Sequence, residues 1–131
     1  MAIHTVLLVD DEPDIRRLAG LSLTAVGKWK VFSCATGAEA LEVAAREKPD
    51  AILMDVMMPQ LDGPSTLAAL RKNPATCDIP VVFMTATSDP DEVVRLTGLG
   101  ACGVIAKPFA PLTLPGIFSE LIARGAAASA G

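Results

Sequence analysis

A chain of 131 residues has room for about one domain, which excludes two well-packed domains and leaves no space for a separate output module. With 51% hydrophobic and 20% charged residues it can bury a core, and it lacks the polar bias of a disordered segment. The formal charge of −4 and the scattered lysines and arginines give no basic stripe to neutralise a phosphate backbone, which argues against direct nucleic-acid binding.

In chain order, Thr5 to Val9 is a continuous apolar run ending at Asp10-Asp11, as a strand buried on both faces would read. Pro13 opens a helix in which Ile15, Leu18, Ala19 and Val26 share a face and Gly27 stops the pattern. Trp29 to Cys34 reads as a second strand, and Gly37 to Lys48 as an amphipathic helix closed before Pro49. Ala51 to Met54 is the third strand, capped by Asp55. A turn-rich loop, Pro59 to Asp62, leads to Gly63-Pro64, where Pro64 suits the first position of a helix that Asn73-Pro74 ends.

Pro80 to Met84 is strand four, and Ser88-Asp89-Pro90-Asp91-Glu92 reads as a capped helix start, closed by Gly98 and Gly100. Cys102 to Ala106 is strand five, and Leu114, Ile117, Phe118, Leu121 and Ile122 mark a last helix, with Pro115 tolerated only in its first turn. Residues 1–124 make one domain, and the tail 125–131, rich in Ala, Gly and Ser, reads as a flexible end or linker remnant. Five strands alternating with five helices imply a parallel α/β sheet covered on both faces and joined by right-handed crossovers.

Cys34, Cys77 and Cys102 are an odd set without a C-x-x-C pair, and they read as reduced thiols. His4 is the only histidine, which argues against zinc. No apolar run approaches a membrane span, and no secretory signal opens the chain, so the expected location is cytoplasmic.

The polar residues that interrupt the apolar runs fall at carboxyl ends of strands, where open α/β sheets build their sites. Asp10 and Asp11 end strand one, Asp55 strand three, Thr85 strand four and Lys107 strand five. Each has an ordinary reading alone: turn acids are solvated or cap helices, a strand-end threonine bonds backbone, and a lysine is usually a solvated amine. Asp55 is harder to dismiss, since it lies between Ala51–Met54 and Val56-Met57-Met58, and a buried carboxylate needs a charged partner. Three carboxylates and one ammonium sum to a formal −2, which suits a hard divalent cation such as Mg²⁺. With Asp10 and Asp11 sharing the metal, Asp55 is the best nucleophile toward a phosphoryl group whose charge the metal and Lys107 would neutralise.

Asp10-Asp11-Glu12, Asp55 within Met-Asp-Val-Met-Met-Pro, Asp62-Gly63, Thr85-Ala86 and Lys107-Pro108-Phe109 occur in order over residues 5 to about 124. Together they resemble the receiver domain of bacterial two-component response regulators, in the stand-alone chemotaxis type. The resemblance implies a flavodoxin-like (βα)5 doubly wound sheet in the order 2-1-3-4-5. It also implies a phosphorelay switch. Asp55 would accept the phosphoryl group from the phosphohistidine of a sensor histidine kinase or phosphotransfer protein. Asp10, Asp11, Asp55 and the main-chain carbonyl of Met57 would hold Mg²⁺, with Mn²⁺ as a substitute. Lys107 would pair with Asp55 and then with the phosphoryl group. The Thr85 hydroxyl would move to bond it and draw the loop that begins at Ala86. The Lys107-Pro108 bond would be cis. Output would go to a downstream protein, or to a second copy in a homodimer, through the face of helix four, strand five and helix five. The chain would catalyse only its own phosphorylation and dephosphorylation.

One departure is Val104, which stands where the family usually carries an aromatic residue that turns inward with the threonine. It leaves the acceptor chemistry untouched and removes the aromatic half of the switch. The readings left open are that Val104 packs into the space Thr85 vacates, or that the chain is a shuttle or phosphate sink with a weak conformational output. An unphosphorylated interaction module is a separate alternative, against which the retention of all five polar positions argues. A magnesium-dependent phosphatase that forms an aspartyl phosphate is a further rival, but Met57 occupies the position where such enzymes typically carry a general acid. Gly98-Leu-Gly-Ala-Cys-Gly103 matches G-x-G-x-x-G, yet it leaves a helix and enters a strand, the reverse of the dinucleotide context.

Overall fold

A computed structural model describes residues 2–87 and 89–130, with side chains described as far as residue 125. The strands are β1 (Thr5–Val9), β2 (Lys30–Cys34), β3 (Ala51–Asp55), β4 (Val81–Thr85) and β5 (Gly103–Ala106). The helices are α1 (Pro13–Leu21), α2 (Gly37–Glu47), α3 (Gly63–Lys72), α4 (Pro90–Gly98) and α5 (Leu114–Ala130). All four strand pairings are parallel, in the order β2-β1-β3-β4-β5. The flavodoxin-like architecture expected from the sequence is therefore the one observed.

Alternation along the central strands divides the core into two layers. Leu7, Val9, Ile52, Met54 and Phe83 lie in the layer with residues of α2, α3 and α4. Val6, Leu8, Leu53, Val82 and Met84 join residues of α1 and α5 in the other. Both faces of the middle strands are thus dry, which is why they read as unbroken apolar runs. At the amino-terminal edge of the sheet, Asp50 Oδ2 accepts from the N–H groups of His4 and Thr5 at 2.9 and 3.0 Å and ties β1 to the start of β3.

Caps follow local chemistry. Thr36 Oγ1 accepts from Glu39 N–H at 3.1 Å, Asp62 Oδ1 from Ser65 N–H at 2.8 Å, and Asp89 Oδ1 from Asp91 N–H at 3.0 Å. Asp89 is therefore the cap of α4; Ser88 lies outside the described residues.

Two helices depart from the sequence reading. The chain after Leu21 winds into a π turn over Ser22–Val26, closed by Gly27 N–H to Ser22 C=O at 3.2 Å. The wider hydrogen-bond step of a π turn takes up one extra residue and rotates the rest of the helix, so Leu23 is buried while Val26 faces solvent. Leu18 is exposed as well. Helix α5 continues past Arg124 to Ala130, because the alanines that suggested a loose tail are the best helix formers. Strand β5 begins at Gly103 rather than Cys102, whose N–H nonetheless bonds to Val81 C=O at 2.8 Å.

No described helix is long and apolar enough to cross a membrane. Cys34, Cys77 and Cys102 are free thiols, and burial pushes the Cys34 pKa up to about 12.

Candidate functional site

The carboxyl edge of the sheet collects the residues that interrupt the apolar runs. Asp10 follows β1 and is fully buried, Asp55 closes β3 at 4% exposure, and Asp11 is half-buried. Each offers a carboxylate oxygen within 4.8 Å of the others. Register produces this convergence: Val9 pairs with Met54, so the residues after them leave adjacent strands side by side.

Lys107, one residue beyond β5, reaches across with its side chain only 12% exposed. Its Nζ lies 2.9 Å from Asp10 Oδ2, 3.3 Å from Asp55 Oδ2 and 3.5 Å from Glu12 Oε1. Burial opposes the ammonium charge, but the ion pairs with Asp10 and then Asp55 outweigh it and hold the lysine pKa above its usual value. One cation thus serves three carboxylates, and Asp10 is the nearest of them. The contact with Glu12 was not visible in the sequence, since a long, 61%-exposed acid in a helix-entry turn has no reason to point anywhere until the fold brings Lys107 beside it.

Local structure holds the acids in place. Asp10 Oδ1 accepts from Glu12 N–H at 2.8 Å, while Arg16 Nη1 donates to the Asp10 carbonyl at 2.7 Å. Gly63 lets the loop after β3 fold back against Asp55: its N–H bonds to Val56 C=O at 2.9 Å, and a Cβ there would lie 2.5 Å from the Asp55 carbonyl oxygen. This close approach accounts for the glycine in Asp62-Gly63.

The remaining candidates are spread around this cluster. Thr85 ends β4 and is buried, with Oγ1 accepting from Thr87 N–H at 3.2 Å, so its hydroxyl is engaged by the loop after it. Ala86 and Pro108 are exposed, and the Lys107-Pro108 peptide bond is cis. The Met57 side chain is 77% exposed, leaving no acid two positions after Asp55. Val104 is half-buried and packs on the layer that contains Phe83 and Leu96.

Burial, and then the charge of Asp10, push the Asp55 carboxyl up to about 6 from an ordinary 3.8, against the opposing pull of Lys107 and the Met57 N–H. The folded metal-free protein therefore binds this proton more tightly than the unfolded chain does. Its contribution favours folding below about pH 4 and is lost as pH rises through about 6, a cost of roughly 1–3 kcal/mol at neutral pH. Asp55→Asn is expected to remove that cost. In chelator, its urea midpoint should exceed that of the wild type at pH 7 and approach it at pH 4; equal midpoints at both pH values would contradict the assignment.

The donor set fits a hard divalent cation. It consists of carboxylates alone, it carries more negative charge than Lys107 cancels, and the buried Asp10 Oδ2 has no hydrogen bond among the described residues, only the ion pair with Lys107.

Comparison with known proteins gives one answer. The family model described as "Response regulator receiver domain" matches residues 6–118. The protein named "Probable transcriptional regulator ycf27" from Porphyridium aerugineum is 39% identical over 126 residues, covering 95% of this chain and 50% of that protein. "Response regulator Rre1" from Synechocystis sp. is 35% identical, covering 95% and 54%. This chain thus spans about half the length of the curated relatives it matches. Among solved structures, the chemotaxis response regulator CheY4 of Vibrio cholerae has a TM-score of 0.84 at 31% identity, covering 92% of this chain and 99% of that one. The receiver domain of Francisella response regulator 1452 has a TM-score of 0.81 at 28% identity, covering 92% and 98%. Motif order, sheet topology, the acidic cluster with its lysine and these matches together place the chain in the response regulator receiver domain family, the signalling module of two-component systems.

Proposed function

We propose that this domain takes a phosphoryl group onto Asp55 from the phosphohistidine of a sensor kinase or phosphotransfer protein, in a magnesium-dependent step in the cytoplasm. The observation that carries the reading is the buried Asp55 carboxylate beside Asp10, with the Lys107 ammonium paired to both, at the open edge of the sheet.

In the transfer, an Asp55 carboxylate oxygen attacks phosphorus in line and forms an acyl phosphate. The P–N bond breaks, and its electron pair returns to the imidazole nitrogen. Asp10, Asp11, Asp55 and the Met57 carbonyl would hold Mg²⁺, or Mn²⁺ in its place; when bound, the metal neutralises charge on the phosphoryl oxygens. Lys107 supplies a fixed positive charge to the same oxygens and exchanges its pairing with Asp55 for one with the phosphoryl group. Thr85 gives up Thr87 N–H and turns its hydroxyl to the new acceptor, which moves the loop at Ala86. Burial of Asp55 favours the step, because a carboxylate stripped of water has less solvation to lose on attack. The moved loop then changes contacts with a downstream protein or a second copy of this chain.

Val104 in place of an aromatic residue limits how that loop movement reaches the face of α4, β5 and α5. The absence of an acid at Met57 argues against a hydrolase that releases phosphate in each cycle.

Phosphoramidate, a small donor with the same P–N bond, tests the proposal by ³¹P NMR. The expected result is one acyl-phosphate resonance that requires Mg²⁺ and reaches at most one equivalent. Absence of both that resonance and any Mg²⁺-dependent phosphate release from phosphoramidate in folded protein would overturn the reading, and steady hydrolysis of a small phosphoester would make the chain an enzyme instead.

A further inference from the structure

The geometry points to Ser22 as a positioning residue for Lys107, acting through the carbonyl of Pro111. This inference rests on the reading of Lys107 as part of the phosphoacceptor site.

Ser22 opens the π turn after α1 and is 3% exposed. A serine or threonine inside a helix ordinarily faces water or bonds back to its own turn, as Thr24 does by donating to Gly20 C=O at 2.7 Å. Ser22 does neither. Its hydroxyl donates to Pro111 C=O, 89 positions away, in the segment between β5 and α5.

That segment carries Lys107. At its start, Lys107 N–H bonds to Thr85 C=O at 2.8 Å. At its end, Ala110 C=O accepts from Thr113 and Leu114, and Pro115 packs so closely on the π turn that a Cβ on Gly27 would lie 3.1 Å from Pro115 Cβ. The segment also borders a half-open surface groove of about 360 Å³ lined by Val104, Ile105, Phe109, Leu114 and Ile117 among others. Phe109 packs on the layer that holds Leu114 and Phe118, and the Ser22 hydroxyl adds a side-chain hydrogen bond that ties Pro111 to the π turn. Pro111 has no N–H, so its carbonyl is its one backbone polar group, and loss of Ser22 would drive it to turn toward water. The ammonium of Lys107, four residues upstream, must reach three carboxylates at 2.9 to 3.5 Å, distances that a shift of this segment would change.

The test reads Lys107 directly, in the unphosphorylated and metal-free protein, by ¹H–¹⁵N correlation of its side-chain ammonium. Ser22→Ala is expected to shift that resonance and accelerate its hydrogen exchange by about fivefold, the scale of one hydrogen bond, with the amide shifts of the central strands unchanged. Ser22→Cys keeps the volume, loses the strong donor and should behave alike, which covers an alanine variant that fails to fold. Ser22→Thr, which retains the hydroxyl, should restore the wild-type signal. Wild-type Lys107 resonance and exchange in a folded alanine or cysteine variant would overturn the proposal, as would a threonine variant that behaves like alanine. None of these readouts uses phosphorylation, so failure of Asp55 to accept a phosphoryl group would strike the proposed function while the positioning role is judged separately.

Discussion

Asp55→Asn is expected to abolish phosphoryl acceptance, lowering transfer from a small-molecule donor by at least about a thousandfold. The reason is local. An amide has no carboxylate oxygen to attack phosphorus, and neither neighbouring acid at the cluster is a ready substitute. Asp10 is fully buried with Oδ1 accepting from Glu12 N–H and Oδ2 paired to Lys107, and Asp11 leaves a different strand. An acyl phosphate is labile to hydroxylamine, so label taken up by the wild type should be released by that reagent and should be missing from the variant. Hydroxylamine-labile label at wild-type levels in Asp55→Asn would place the acceptor on another carboxylate. The variant is also the one expected to gain stability at neutral pH in chelator, so a loss of acceptance could not be assigned to unfolding.

Lys107→Ala should have the opposite signature. It removes the cation that lies within 3.5 Å of Asp10, Asp55 and Glu12 and leaves two buried carboxylates facing each other. Breaking a buried pair from one side costs about 3 kcal/mol or more, and urea denaturation at neutral pH in chelator should show a loss of that order. Acidification should recover part of it, because protonating Asp55 relieves the like-charge contact. Magnesium should recover part as well, by replacing the missing positive charge. Phosphoryl acceptance should survive, since Asp55 is intact, while the amide shifts of Thr85 to Thr87 that accompany modification should shrink or vanish. Full-sized shifts in Lys107→Ala would remove the lysine from the switch.

Much of the fold and most of the site were legible in the chain because the same physics governs both levels. Strands buried on both faces must be apolar throughout, so Asp10, Asp55 and Thr85 announced themselves by ending such runs. The parallel topology then carried them to one edge. The α1 region was less legible: a regular helix would have put Val26 on the buried side, but the π turn at Ser22–Val26 adds a residue and turns it out. That winding fits the close packing of Gly27 and Trp29 on Pro115 and Phe118 of α5, a contact between distant parts of the chain that local periodicity does not encode. Ser22 and the pairing of Glu12 with Lys107 were missed for the same reason, each side chain gaining its partner only in the folded chain. At the carboxyl end, a composition that suggested a linker also favours helix, and α5 carries it to Ala130.

The most direct test of phosphoryl acceptance is the intact mass of the wild-type chain after incubation with acetyl phosphate, with Mg²⁺ and with chelator. The expected result is a gain of one phosphoryl group that requires the metal. No gain in either condition, in protein that remains folded, would contradict it and leave a receiver fold that serves as an unphosphorylated interaction module.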